Sequence, residues 1–270
     1  MSRVKSDAML AYHTGRNMTT TQDKIFYKSN ENIVDLINYF DFDGKSVLTV
    51  AGSGDQVFHF LNSNASSVEV YDKNILTKYY YYFRVWCIRY LNKFYPPAGF
   101  DVGFIKQLLS IAEPLNSDEI DAYEFWIEYI KLLGNSDNSL MRYDIVSYDN
   151  TLTKLKSLKE KILNPLDFHI LNLTCDINLS KKYDVIYVSN IRDWIWILSA
   201  MERIKYKDNL FNLLNDDGIV ICSTLDYFPA GLDEEISVFK EQFSIDYISG
   251  RYDSDVEAYR YSPGYYYKKR

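Results

Sequence analysis

Histidine and cysteine are scarce in this 270-residue chain, with three copies each. His13, His59 and His169 lie far apart, and no His-x-x-x-His or Cys-x-x-Cys pair occurs. A zinc site needs such local pairs, so no metal centre is expected. Cys87, Cys175 and Cys222 are odd in number, widely spaced and set in apolar surroundings, which predicts reduced core thiols and no disulfide framework. No apolar run approaches the ~18 uncharged residues of a membrane span. The opening residues, Met1 to Asp7, lack the apolar block of a secretory leader. A cytoplasmic protein is therefore expected. Positive charge is also short: 30 Lys and Arg against 37 Asp and Glu give a net charge of -7. An extended duplex nucleic-acid surface, which relies on clustered cations, is disfavoured.

What is present is apolar and aromatic. At 47% hydrophobic residues, including 25 tyrosines, the chain can bury one large core, either as a single domain or as a domain with an inserted subdomain. The tyrosine runs Tyr79 to Tyr82 and Tyr265 to Tyr267 read as core and strand residues in preference to a base-stacking platform. Residues 1–30 are polar and form an arm or short helix outside the sheet, and residues 31–270 form the main domain. Asn32 to Phe40 has helical spacing, Val47 to Val50 is a buried strand, Asp55 to Asn62 a short helix and Ser67 to Tyr71 a second strand. Ile75 to Phe94 is apolar nearly all round and predicts a buried helix. Residues 98–160 interrupt the alternation with helical segments, a candidate insertion that could form a lid. Strands are expected again at Phe168 to Leu171, Tyr183 to Val188 and Ile219 to Cys222, with helices at Asp193 to Ile204 and Asp208 to Leu214. An antiparallel pair, Phe243 to Ile248 with Val256 to Tyr261, closes the pattern. This is an α/β chain: a Rossmann-like, doubly wound, mostly parallel sheet with a C-terminal antiparallel hairpin and a helical insertion.

The segment Val47-Leu-Thr-Val-Ala-Gly-Ser-Gly-Asp-Gln56 carries the chemistry. Two glycines where a buried strand ends let the backbone turn tightly and a ligand approach closely. Asp72, twenty residues after Gly52 at the tip of the next strand, is placed to accept hydrogen bonds from ribose hydroxyls. The dinucleotide fingerprint needs a third glycine three positions after the second, where this chain has Val57. No GxxxxGK[ST] loop exists for a nucleoside triphosphate. S-adenosylmethionine, which bears a sulfonium, an ammonium and a carboxylate, suits what remains. Asp55 can pair with the ammonium, and the helix start after Gly54 can receive the carboxylate.

From about residue 30 onward the chain resembles the class I S-adenosylmethionine-dependent methyltransferases, in the order of its strands, its glycine loop and its strand-terminal acid. The resemblance implies a cofactor site of Gly52, Gly54, Asp55, Gln56, Asp72, Lys73, Asp176 and Ser189, with Asp176 beside the adenine amino group. It implies Asn190 and Asp193 as catalytic residues facing methionine or acceptor, although Asp193 also suits the cap of a helix starting at Trp194. The acceptor is expected to be a small molecule. The Asn/Asp-Pro-Pro-aromatic signature of adenine amino methylation is missing. So is the family's acid two residues before the first glycine, where Val50 stands. Gly54-Asp55-Gln56 and Ser189-Asn-Ile-Arg-Asp-Trp194 are instead similar to the diacylglycerol aminocarboxypropyl transferases of betaine-lipid synthesis, which transfer the amino-acid arm of the same cofactor. A non-catalytic nucleoside-binding or scaffold protein of the same fold is the alternative outside enzymes. Tyr27 and Asn30 precede the first helix of the main domain, where a tyrosine could meet the sulfonium; Thr224, Asp226 and Tyr227 could line an acceptor pocket.

Overall fold

The computed structural model describes residues 2–16, 25–29, 31–97, 101–134, 141–142, 151–152, 154–164, 166–189, 199–225, 239–240, 242–247 and 261–269. In chain order the elements are α1 (Arg3–Arg16), β1 (Ile25–Phe26), α2 (Ile33–Tyr39), β2 (Ser46–Val50), α3 (Asp55–Asn62), β3 (Ser67–Asp72), α4 (Ile75–Leu91), α5 (Val102–Leu109), α6 (Ser117–Leu133), β4 (Met141–Arg142), α7 (Leu155–Lys161), β5 (Phe168–Ile170), β6 (Tyr183–Ser189), α8 (Ala200–Leu213), β7 (Leu214–Leu225), β8 (Phe243–Tyr247) and β9 (Tyr261–Lys269). Seven strands form one sheet in the order β5-β3-β2-β6-β7-β9-β8, and β1 pairs with β4 apart from it. Neighbours are parallel from β5 to β7, whereas β9 runs antiparallel to both β7 and β8. This is the Rossmann-like, doubly wound sheet that the alternation of elements implies.

β2 is the pivot. From it the chain winds outward to β3 and β5 on one side, then returns to β6 and β7 on the other. Val47, Leu48, Thr49 and Val50 are all buried, as a strand covered on both faces demands. Opposite windings leave a crevice beyond the strand ends at β2 and β6, the place where open α/β sheets bind ligands.

Side-chain caps fix several helix starts: Asn32, Asn74, Asp101, Asn116 and Ser199 each accept a first-turn amide. Every residue of α4 from Leu76 to Ile88 is buried, and the helix stops at Leu91 because Asn92 turns left-handed, with φ of 55°. The 98–160 stretch contributes α5 and α6, which pack on α4, and α7, which packs on α3 and α4.

Of the two forms expected for the N-terminal residues, arm or short helix, the helix is present as α1, which buries Val4, Ala8 and Ala11 and packs on α6 and α4. Three expectations are revised. Cys175 is exposed, because it lies in the turn after β5 and not in a strand, while Cys87 and Cys222 are buried; all three are free thiols. The second strand of the C-terminal pair is Tyr261–Lys269, later than expected, and it places Tyr267 in the core. Residues 256–260 lie outside the described residues. One helix, α8, spans the region given to two, residues 190–198 being undescribed. The turn expected at Asp216 to Gly218 survives as an irregularity in β7, where Asp217 has φ of 62° and the register jumps from Leu214 to Ile219.

Candidate functional site

The turn after β2 has the geometry its glycines imply. The ladder to β3 runs one residue past the strand through Ala51 N–H to Tyr71 O at 2.8 Å, and Gly54 N–H then folds back to Ala51 O at 2.6 Å. Gly52 and Gly54 both have positive φ, 49° and 89°. A Cβ at Gly52 would lie 2.5 Å from Gln56 Nε2, so the bare backbone is what lets the Gln56 amide lie across the turn. Gln56 is buried, and its Oε1 has no hydrogen-bond partner among the described residues.

Asp72 closes the other side of this turn. Its Oδ2 accepts from Gly52 N–H at 3.3 Å and its Oδ1 from Asn74 N–H at 2.9 Å. Burial pushes the carboxyl up to about 6, although those backbone donors and the nearby Lys73 ammonium oppose the rise. Lys73 itself is exposed.

Asp55 has partners other than the expected ammonium. It is fully buried, with Arg84 Nη1 at 2.5 Å from Oδ1 and Ser29 N–H donating to Oδ2 at 2.7 Å. Both oxygens are thereby engaged inside the protein. Arg84 also donates to Ser53 O at 2.7 Å and Phe94 O at 2.9 Å, and its guanidinium lies 4.6–4.9 Å from the ring centres of Phe58, Phe94 and Tyr95. Burial opposes the Arg84 charge, yet Asp55, Tyr80 and Tyr95 hold its pKa above the ordinary value. The pair rivets the glycine turn to α4 from behind. Arg84 carried a signal in the sequence, since a charge inside a helix that is apolar all round needs a buried partner.

Across the crevice, Ser189 ends β6 with φ of 56°, a left-handed conformation that strains a side chain larger than glycine. Its hydroxyl donates to Glu31 Oε1, and the Tyr187 hydroxyl donates to Glu31 Oε2 while lying 2.9 Å from Ser223 Oγ. Glu31 is only 2% exposed. Nothing in the sequence pointed to it: a single glutamate in a polar segment carries no periodicity, and Ser189 is 158 positions away.

The remaining candidates disperse. Asp176 is turned to solvent, its side chain 94% exposed, and Lys205 of α8 lowers its pKa by direct pairing. Tyr27 is buried with its hydroxyl donating to Pro96 O and its carbonyl accepting from the Tyr80 hydroxyl at 2.9 Å. His59 is buried edge-on to Phe94. Asn190, Asp193, Asn30, Asp226 and Tyr227 lie outside the described residues, as does the Thr224 side chain. No group of three or more metal-ligating side chains occurs among the described residues. No described helix is long and apolar enough to cross a membrane.

No family model matches the chain, and no curated protein does. Solved structures similar to it include a TehB-like SAM-dependent methyltransferase from Corynebacterium glutamicum ATCC 13032, 12% identical with a TM-score of 0.43, covering 98% of this chain and 99% of that one. The N-methyltransferase NodS from Bradyrhizobium japonicum WM9, in complex with S-adenosyl-L-homocysteine, is 8% identical with a TM-score of 0.42, covering 96% and 98%. The glycopeptide N-methyltransferase MtfA, also complexed with S-adenosyl-L-homocysteine, is 8% identical with a TM-score of 0.47, covering 94% and 95%. None of these likenesses is close enough to carry a residue's role across.

Proposed function

We propose that this protein is an S-adenosylmethionine-dependent transferase that moves a methyl group to a small or medium-sized acceptor. The observation that carries the reading is the Asp72 carboxylate held against the Gly52 amide, beside the β2/β6 crevice. The residues fit an adenosine-bearing ligand. The half-buried carboxylate has lone pairs left for a ribose diol, and the buried Gln56 Oε1, whose amide lies across the bare backbone of Gly52, has no donor among the described residues.

When bound, the cofactor supplies a carbon activated by its sulfonium. The chain's own task is to bind and align: Asp72 accepts from the ribose hydroxyls, the amides at the start of α3 face the carboxylate, and the Arg84–Asp55 pair keeps the turn in shape. Asp55 thus acts through the loop and not on the ligand. Asn190 and Asp193 remain proposed for the acceptor side.

Calorimetric titration with S-adenosylmethionine and S-adenosylhomocysteine tests the reading, and saturable one-site binding of both is expected. Absence of binding removes the enzyme reading and leaves a scaffold. Turnover against a panel of small-molecule acceptors then identifies the transferred group. S-adenosylhomocysteine as product means methyl transfer; methylthioadenosine means transfer of the aminocarboxypropyl arm.

A further inference from the structure

The protein's own side chains fill the space that the two glycines after β2 leave bare. A Cβ at Gly52 would fall 2.5 Å from Gln56 Nε2, and one at Gly54 would meet the Phe58 ring at 3.3 Å and Arg84 Nη1 at 3.5 Å. Gln56, Phe58 and Arg84 are all buried. Three amides of the turn are engaged as well: Gly52 N–H donates to Asp72 Oδ2 at 3.3 Å, Gly54 N–H to Ala51 O at 2.6 Å and Asp55 N–H to Ser53 Oγ at 3.3 Å. The guanidinium behind Gly54 is met by Asp55. A phosphate needs the opposite on each count: bare glycine backbone to lie against, and free N–H donors or an unpaired cation to grip it. This turn keeps its glycines and gives their space to Gln56, Phe58 and Arg84.

We infer that Gln56 is a specificity-determining residue: its amide covers the Gly52 backbone where a 5′-phosphate would lie, so the site takes an adenosine with a sulfur-linked 5′ substituent and rejects 5′-phosphorylated nucleosides. The inference rests on the proposed use of S-adenosylmethionine, which carries no phosphate. Asp72 works in the same direction, because its carboxylate on Gly52 N–H is a negative group that a phosphate would have to approach. Phe58 and Arg84 brace the turn at Gly54, whereas Gln56, in the first turn of α3, is the side chain laid over Gly52.

The test compares two ligands by calorimetry, S-adenosylhomocysteine and metal-free ADP, which share one adenosine and differ at the 5′ position. Wild-type protein should bind S-adenosylhomocysteine at least about tenfold more tightly than ADP. Gln56→Ala uncovers Gly52 and should tighten the binding of ADP itself by roughly fivefold or more. Should Gln56→Ala fail to fold, Gln56→Asn withdraws the amide by one methylene and should tighten ADP by a smaller factor. ADP binding that is unchanged or weaker in the shortened variant, or wild-type protein that binds ADP as tightly as S-adenosylhomocysteine, overturns the inference while leaving the cofactor reading intact. Wild-type protein that does not bind S-adenosylhomocysteine overturns both.

Discussion

Asp72 holds its proton for longer than an ordinary aspartate, and this has consequences for stability and for binding. Between the usual 3.8 and about 6, the folded chain retains a proton that the unfolded chain has released. The contribution of this group to stability is therefore lost as pH rises through that window and stays low above it. Asp72→Asn should lose this pH dependence, so that its melting temperature relative to wild type is higher at pH 7 than at pH 4. Binding runs the other way, because the ribose diol needs the ionised acceptor. Nucleoside affinity should fall several-fold from pH 7 to pH 5 in the wild type, and Asp72→Ala should bind more weakly by roughly 1–3 kcal/mol with a flat pH profile, read by calorimetry. The Arg84–Asp55 pair makes a different kind of claim. Breaking a fully buried pair by removing one partner costs about 3–5 kcal/mol, so Arg84→Met and Asp55→Asn should each lower unfolding stability in urea by that order. The double variant should lose less than the sum, since neither charge is then stranded.

Elements were legible to the extent that their pattern was local. α4 announced its burial through apolar residues on all sides. α1 was legible only as one of two forms, arm or short helix, and its packing was not: its buried positions include Ala8 and Ala11, whose small side chains give weak periodicity and gain burial only once α6 is beside them. That packing can be measured. Ala8 is completely buried, so Ala8→Leu should overpack the interface with its neighbouring helices and cost roughly 1–3 kcal/mol. Leu10, half exposed on the same helix, should tolerate change to Ala within about 0.5 kcal/mol. Both are read from urea unfolding midpoints, and equal effects would contradict the packing described for α1.

For the whole molecule, the strand order places the last element inside the sheet. β9 lies between β7 and β8, with Ile219 to Leu225 on one side and Phe243 to Tyr247 on the other. Removing residues 261–270 therefore deletes an interior strand, not a tail. It would strip β7 of a long antiparallel partner, leave β8 unpaired and take Tyr267 from the core. The truncated chain should be insoluble or lack a cooperative thermal transition by circular dichroism.

The sequence by itself determined the α/β class, the glycine turn and the acid at the tip of β3. Each depends on short-range pattern: a buried strand, residues free to take positive φ, and a fixed separation along one strand-helix-strand unit. Only the tertiary structure decided what the other charges do. Asp55 looked like a ligand contact because it adjoins the glycines, yet Arg84, 29 positions on, claims it. Glu31 looked like nothing at all, yet the return of the chain to β6 brings Ser189 and Tyr187 to its two oxygens. A buried charge takes its role from the partner that meets it in space, and that partner is chosen by the winding of the sheet.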